Sequence, residues 1–320
     1  MTSKITKYAL AFPGQGIYKN GFLESVRHHQ PLFQHYLDQI DETLNENFSS
    51  HLFANESESD AKLWLGKTSN AQPATLASTY ILLKLTEKLH NVSLVDNASF
   101  FLGHSLGEYT ALVLSGIIDF STGLKLVRKR GELMEELCHG GNYGMIALLV
   151  KPKFTDQVIN SAQEHHVLGN INSPSQIVIS GELTQLEKYI ETLKKENKSA
   201  LMRSVPLPVS IPFHTDILKP IVPELRGILT GKLNKQKTPI VSNLDGEPSY
   251  EAESTVEKLL DANYQPVQWL KSMNYLEASP VETVFNLGPG TTLQGINSRY
   301  KIESMNLDNT ELTDDRIQQI

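Results

Sequence analysis

Residues 99–107 read Ser99-Phe100-Phe101-Leu102-Gly103-His104-Ser105-Leu106-Gly107, and a helical pattern follows from Glu108 to about Ser115. The apolar run ending at Leu102 is too short for a helix and is bounded by glycine, which fits a buried strand. Strand, glycine-rich turn and helix make the unit of a parallel α/β sheet. The turn itself has the order Gly-x-Ser-x-Gly. Its glycines allow a sharp strand-to-helix bend that lifts the Ser105 hydroxyl above the sheet, at a helix N-terminus. Free N–H groups and the helix dipole favour developing negative charge there, and the Leu106 N–H becomes a natural oxyanion donor. An ordinary turn can also place a serine between glycines. The strand before it and the helix after it favour a nucleophile.

Working outward, Tyr8-Ala9-Leu10-Ala11-Phe12 runs into Pro13-Gly14-Gln15-Gly16, a second short apolar strand entering a Pro/Gly loop. Val284-Phe285-Asn286-Leu287 meets Gly288-Pro289-Gly290 in the same way. Residues 42–62 are polar and acidic and read as an exposed, irregular excursion. A helix is predicted from Gln72-Pro73-Ala74, with Pro73 in its first turn, through Leu89. Another spans about Ser121 to Cys138. After Gly140-Gly141 the rhythm changes. Strands over Met145–Val150, Val167–Ile171, Gln176–Ser180 and Leu201–Val205 alternate with helices over Lys153–Glu164 and Glu182–Lys195. This β-α-β-β-α-β order is that of a ferredoxin-like unit. The chain is therefore expected to fold as an α/β domain with a parallel sheet, residues 1–140 and 207–320, carrying an inserted ferredoxin-like subdomain at 141–206.

The chain has 320 residues, a formal net charge of −7 and 40% hydrophobic residues, as befits a globular protein with a sizeable core. A net negative charge argues against general nucleic-acid binding. The single cysteine, Cys138, excludes an intramolecular disulfide framework and a cysteine-rich zinc site. No run approaches the roughly 20 apolar residues of a membrane span. The N-terminus carries Lys4 and Lys7 but lacks the apolar core of a secretory signal.

A serine nucleophile needs a base, usually histidine. His28, His29, His35, His165 and His166 sit in polar, solvated surroundings. His104 faces the mouth of the Ser105 turn, where it suits ligand contact better than proton transfer to its neighbour. His214 ends the proline-rigid stretch Pro206-Leu207-Pro208-Val209-Ser210-Ile211-Pro212-Phe213-His214, at the start of a helical segment. It reads either as the base or as a buried, helix-capping histidine. Arg130 lies four residues after Leu126 and three before Leu133, on an apolar stripe. A guanidinium there needs an anionic partner. That partner is a protein carboxylate or a substrate carboxylate held in two-pronged fashion. Arg128 and Lys129 fall off the stripe and read as solvated.

Phe12-Pro13-Gly14-Gln15-Gly16, Gly103-His104-Ser105-Leu106-Gly107-Glu108, Arg130-Gly131, Asn172-Ser173-Pro174, Phe213-His214, Ser242-Asn243 and Gly288-Pro289-Gly290 occur in an order and spacing that resemble the malonyl-CoA:acyl carrier protein transacylase family. The likeness runs from about residue 8 to residue 300. It implies an α/β hydrolase-like large domain. It also implies that Ser105 bears the acyl group, that His214 is general base and then acid, and that the Gln15 and Leu106 amides bind the oxyanion. Arg130 would hold the malonyl carboxylate, and a main-chain carbonyl, here that of Ala262, would orient His214. Some relatives carry glutamine at that position. Phe213 resembles the bulky residue of malonyl-selective members, where a methyl group is worth roughly 1–3 kcal/mol of discrimination.

The resemblance implies malonyl-CoA and acyl carrier protein as partners and no metal or redox cofactor (the coenzyme A thioester being a substrate); a monomer is expected. An acidic carrier calls for a local basic area, for which Lys125, Arg128 and Lys129, or Lys232, Lys235 and Lys237, are candidates. The segments 16–21 and 243–246 resemble those of fungal mitochondrial members, which implies a mitochondrial matrix, with a bacterial cytoplasm as the alternative. The rival enzyme is a serine thioesterase or esterase using the same bend. A carrier-binding scaffold without catalysis is the non-enzymatic rival.

Overall fold

The computed structural model describes residues 7–16, 21–197 and 199–307. Residues 1–6 and 17–20, read above for targeting and family likeness, lie outside the described residues. Strand β1 (Tyr8–Phe12) is buried along its whole length, and its side chains divide by parity. Tyr8, Leu10 and Phe12 enter one core, while Ala9 and Ala11 enter another. The same division holds for Phe101 and Leu102 on β2 (Phe100–Gly103), and for Phe285 and Val284 further on. A sheet buried on both faces is what parallel βα units require, because their helices cover both sides.

Between these strands lie β3 (Tyr143–Val150), β4 (Leu168–Ser173), β5 (Gln176–Glu182), β6 (Leu201–Pro206), β7 (Ile240–Val241), β8 (Pro248–Ser249) and β9 (Thr283–Asn286), and β10 (Glu303–Asn306) comes last. The large sheet has the order β10-β9-β1-β2-β7-β8, parallel except for the β7–β8 pair. The second sheet is antiparallel with the order β4-β5-β3-β6, as a ferredoxin-like unit requires. One face of this sheet, with Ile146, Leu148, Ile177 and Ile179, covers its own helices. Met145, Ala147 and Val178 on the opposite face join the main core. The two sheets therefore meet face to core, and the cleft between them opens above β1 and β2.

Three sequence readings need correction. The acidic stretch 42–62 is not an irregular excursion. It holds the end of the Gln30–Leu44 helix, a 3-10 turn at Ser49–Leu52 and a helix at Glu58–Leu65, with Phe48, Leu52 and Phe53 in the core. Ser57 caps the last helix by accepting the Asp60 N–H, and Glu58 and Asp60 lie in its first turn, where the dipole favours them. The acidity is that of a helix start. The long helix begins at Thr68, not Gln72, so Pro73 is internal. Proline cannot donate to the carbonyl four residues back. That carbonyl, Ser69 O, instead accepts from Arg128 Nη1 at 3.0 Å. Arg128 also binds Asn70 and Glu46. It is not a solvated residue but the partner that makes the internal proline tolerable.

Candidate active site

β2 ends at Gly103, and the Gly107–Leu114 helix starts after a turn of three residues, His104, Ser105 and Leu106. The turn is so tight that a Cβ on Gly103 would lie 1.9 Å from the Gly107 carbonyl carbon, and one on Gly107 would lie 2.1 Å from Phe12 O. No side chain fits at either glycine. Between them Ser105 has φ 53°, a left-handed conformation that costs a non-glycine residue about 1–3 kcal/mol. Its hydroxyl stands 2.7 Å from His214 Nε2, although 109 residues separate them.

His214 is also left-handed, with φ 62°. The chain reaches it from β6 through the stretch 206–213, fixed where the Ser180 hydroxyl of β5 donates to Phe213 O at 2.7 Å. Its Nδ1 lies 2.7 Å from Ala262 O. A carbonyl can only accept, so Nδ1 carries the proton and Nε2 presents its lone pair to Ser105. Ala262 is the C-cap of the Ala252–Asp261 helix, where carbonyls lack helical partners and the dipole is negative. This end takes the place of an acidic side chain. Burial, opposed by the Ala262 bond and assisted by Arg130 and His104, lowers the His214 pKa to about 3. The imidazole is neutral at pH 7 and ready to accept a proton.

Arg130, on the Phe120–Leu137 helix, is 2% exposed. Nε donates to Asn263 Oδ1 and Nη1 to Gln72 Oε1, both at 2.7 Å. The guanidinium lies 4.9 Å over the Tyr109 ring. Among the described residues no carboxylate forms an ion pair with it. Two amide oxygens thus fix the plane of a buried cation without neutralising it. Asn263 follows Ala262, so one helix end orients both the imidazole and the guanidinium.

Ser105, His214, Arg130, Gln15, Leu106, His104 and Phe213 all line one cavity of about 340 Å³ between the two sheets. Every residue singled out from the sequence for this site is brought there. Among the described residues the backbone N–H groups of Gln15 and Leu106 find no acceptor within the protein. His104 Nε2 pairs with Asn172 Oδ1 at 2.9 Å, its ring edge meets Trp269, and burial lowers its pKa. Sequence reasoning missed Gln72, Tyr109 and Asn263, the residues that hold Arg130. It also missed Asn170, a cavity-wall residue whose buried Oδ1 has no hydrogen-bond partner among the described residues. Nothing local marks them. Gln72 and Asn263 lie 58 and 133 residues from Arg130.

A family model described as the acyl transferase domain matches residues 10–294. The chain is 36% identical over 297 residues to the malonyl CoA-acyl carrier protein transacylase of Bacillus subtilis, covering 91% of this chain and 90% of that protein. The malonyl-CoA:acyl carrier protein transacylase structure from Helicobacter pylori superposes with a TM-score of 0.85 at 28% identity, covering 98% of each chain. A malonyl-transacylase solved in complex with its type II PKS acyl-carrier protein gives 0.81 at 27% identity, covering 93% of this chain and 94% of that one. With the strained serine, its histidine and the uncompensated arginine in one cleft, these likenesses agree with the site itself: the chain belongs to the acyl transferase family, among the malonyl CoA-acyl carrier protein transacylases.

Proposed function

We propose that this enzyme transfers a malonyl group from malonyl-CoA to the phosphopantetheine thiol of an acyl carrier protein, by way of a malonyl ester on Ser105. The observation that carries this reading is Arg130, a buried cation on the wall of the nucleophile's cavity whose protein partners are neutral amides. A substrate carboxylate completes it. An esterase acting on neutral substrates has no use for such a group.

His214 Nε2 takes the Ser105 proton as the hydroxyl oxygen attacks the thioester carbon. The resulting oxyanion lies against the Gln15 and Leu106 amides, where losing one donor typically costs about 10²–10³ in rate. Collapse breaks the carbon–sulfur bond, and His214 returns its proton to the coenzyme A thiolate. The carrier's thiol then attacks the ester with His214 as base, and Ser105 leaves with the proton restored. No step calls for a metal or redox cofactor. Asn170 Oδ1, on the cavity wall and without a partner among the described residues, suits an amide N–H of a pantetheine arm. Phe213, buried on the same wall, is the bulk expected to oppose a 2-methyl substituent.

The reacting groups and the anion clamp come from a single chain, so a monomer suffices. With Arg128 engaged in the structure, Lys125 and Lys129 or Lys232, Lys235 and Lys237 are left as the basic area for an acidic carrier. Likeness at 16–21 and 243–246 favours a mitochondrial matrix over a bacterial cytoplasm, and fractionation of source cells decides between them. Incubation with labelled malonyl-CoA and holo acyl carrier protein tests the activity. Label is expected on the carrier; release as free malonate instead would identify a hydrolase.

A further inference from the structure

The pair Ser242-Asn243 has no part in the cycle above, yet Asn243 touches the nucleophile's backbone. Its Oδ1 accepts the Ser105 N–H at 2.9 Å, and its Nδ2 donates to Gly103 O at 2.5 Å. β2 and β7 pair in parallel only as far as Leu102 and Val241. Beyond that point the chain of β2 bends away, and the Asn243 side chain, an amide like a peptide unit, continues the ladder across the bend. Without it the Ser105 N–H, at the tip of a left-handed turn, would lack a partner.

Asn243 is itself held at both ends of its backbone. Its N–H donates to Glu108 Oε1 at 3.3 Å, and its C=O accepts the Gln268 N–H at 2.8 Å. Glu108 is 1% exposed and lies three residues after Ser105, in the first turn of the helix that the nucleophile starts. A loop therefore closes, from Ser105 to Asn243 to Glu108 and back along the chain.

We propose that Asn243 is the positioning residue of the nucleophile, its side chain fixing Ser105 in the left-handed conformation that meets His214, and that the buried Glu108 side chain fixes Asn243. This deepens the acyl-transfer reading and rests on it only for the identity of the acyl group. Burial also pushes the Glu108 carboxyl up to about 8. At neutral pH it is an uncharged acceptor that an amide can replace, so Gln at 108 preserves the clamp whereas Ala abolishes it.

The test uses the full-length enzyme and two readouts. One is the rate at which a small alkyl fluorophosphonate labels Ser105, which needs neither malonyl-CoA nor Arg130. The other is kcat and KM for malonyl transfer. For Asn243→Ala, folded at the assay temperature by its melting curve, both the labelling rate and kcat should fall about 10²-fold, the effect of ångström-scale misplacement. KM for malonyl-CoA should stay within about threefold, because the binding groups are untouched. Glu108→Ala should slow labelling at least tenfold, and Glu108→Gln should restore it to within about threefold of the original. Labelling of Asn243→Ala at the unmodified rate overturns the proposal. If Asn243→Ala does not fold, the Glu108 pair decides: Gln as slow as Ala, or Ala as fast as the original, overturns it. Wild-type enzyme that labels with phosphonate but transfers no malonyl would sink the acyl-group assignment and leave the clamp standing or falling on the labelling rates.

Discussion

Replacing Arg130 by alanine should cost far more activity with malonyl-CoA than with acetyl-CoA. Its guanidinium is immobilised by Asn263 and Gln72 at 2.7 Å each, which leaves the remaining N–H groups for a carboxylate. Two charge-assisted bonds formed in a buried site, each worth about 1.5–3 kcal/mol, give about 3–6 kcal/mol. At about 1.4 kcal/mol per tenfold, kcat/KM for malonyl-CoA should drop by ~10²–10⁴. Acetyl-CoA carries no carboxylate, so its loss should be limited to the disturbance of packing around Tyr109, less than about tenfold. Arg130→Lys should fall between, because one ammonium cannot hold Gln72, Asn263 and both carboxylate oxygens together. The assay is the release of coenzyme A thiol at fixed carrier concentration, for both acyl donors, alongside a thermal melt. A fall of equal size for both donors would refute the carboxylate role.

Other outcomes follow from titration and packing. His214 lies well below its ordinary pKa of 6.5, at about 3. The free enzyme's kcat/KM should therefore stay flat as pH falls through 6.5 toward 4, and an inflection near 6.5 in the pH–rate profile would contradict a neutral buried base. Glu108 has the opposite perturbation, from 4.5 up to about 8. The folded state binds the extra proton between those values, so this group's contribution to stability is full below pH 4.5 and declines as pH rises to 8, by up to about 1.4 kcal/mol per pH unit. Glu108→Gln should flatten that limb in urea unfolding measured at pH 5, 6, 7 and 8; an unchanged slope would show that the carboxyl ionises freely. Arg128→Ala leaves Ser69 O, the carbonyl freed by Pro73, without its donor. It should destabilise by about 1–3 kcal/mol in urea titration, and an unchanged midpoint would remove Arg128 from that role.

How much of this was legible in the chain depended on how far apart the cooperating residues lie. The elbow was readable because strand, glycines and helix are contiguous, and the glycines leave no room for another residue. The ferredoxin-like sheet was readable from its order of strands and helices, since each element carries its own period. His214 and the Ala262 carbonyl came with the family likeness, and the 2.7 Å contact shows why a change of side chain at 262 is tolerated: only the main chain is used. The hidden part was second-layer polar chemistry. Gln72, Tyr109 and Asn263 carry no local signal of holding Arg130, and Asn243 none of holding Ser105. At residues 42–62 the acidic composition masked a helix start, because charge in a first turn and charge in a loop look alike. Likewise Pro73 reads as a boundary, because nothing local shows that the carbonyl it leaves unpaired, Ser69 O, meets Arg128.

The most direct test of covalent catalysis at the glycine bend is the intact mass of the protein after seconds of exposure to malonyl-CoA without a carrier, with peptide mapping of the adduct. A single malonyl group on Ser105, absent from Ser105→Ala and discharged on adding the carrier's thiol, is the predicted result. An adduct that persists in Ser105→Ala, or maps to another residue, would contradict it.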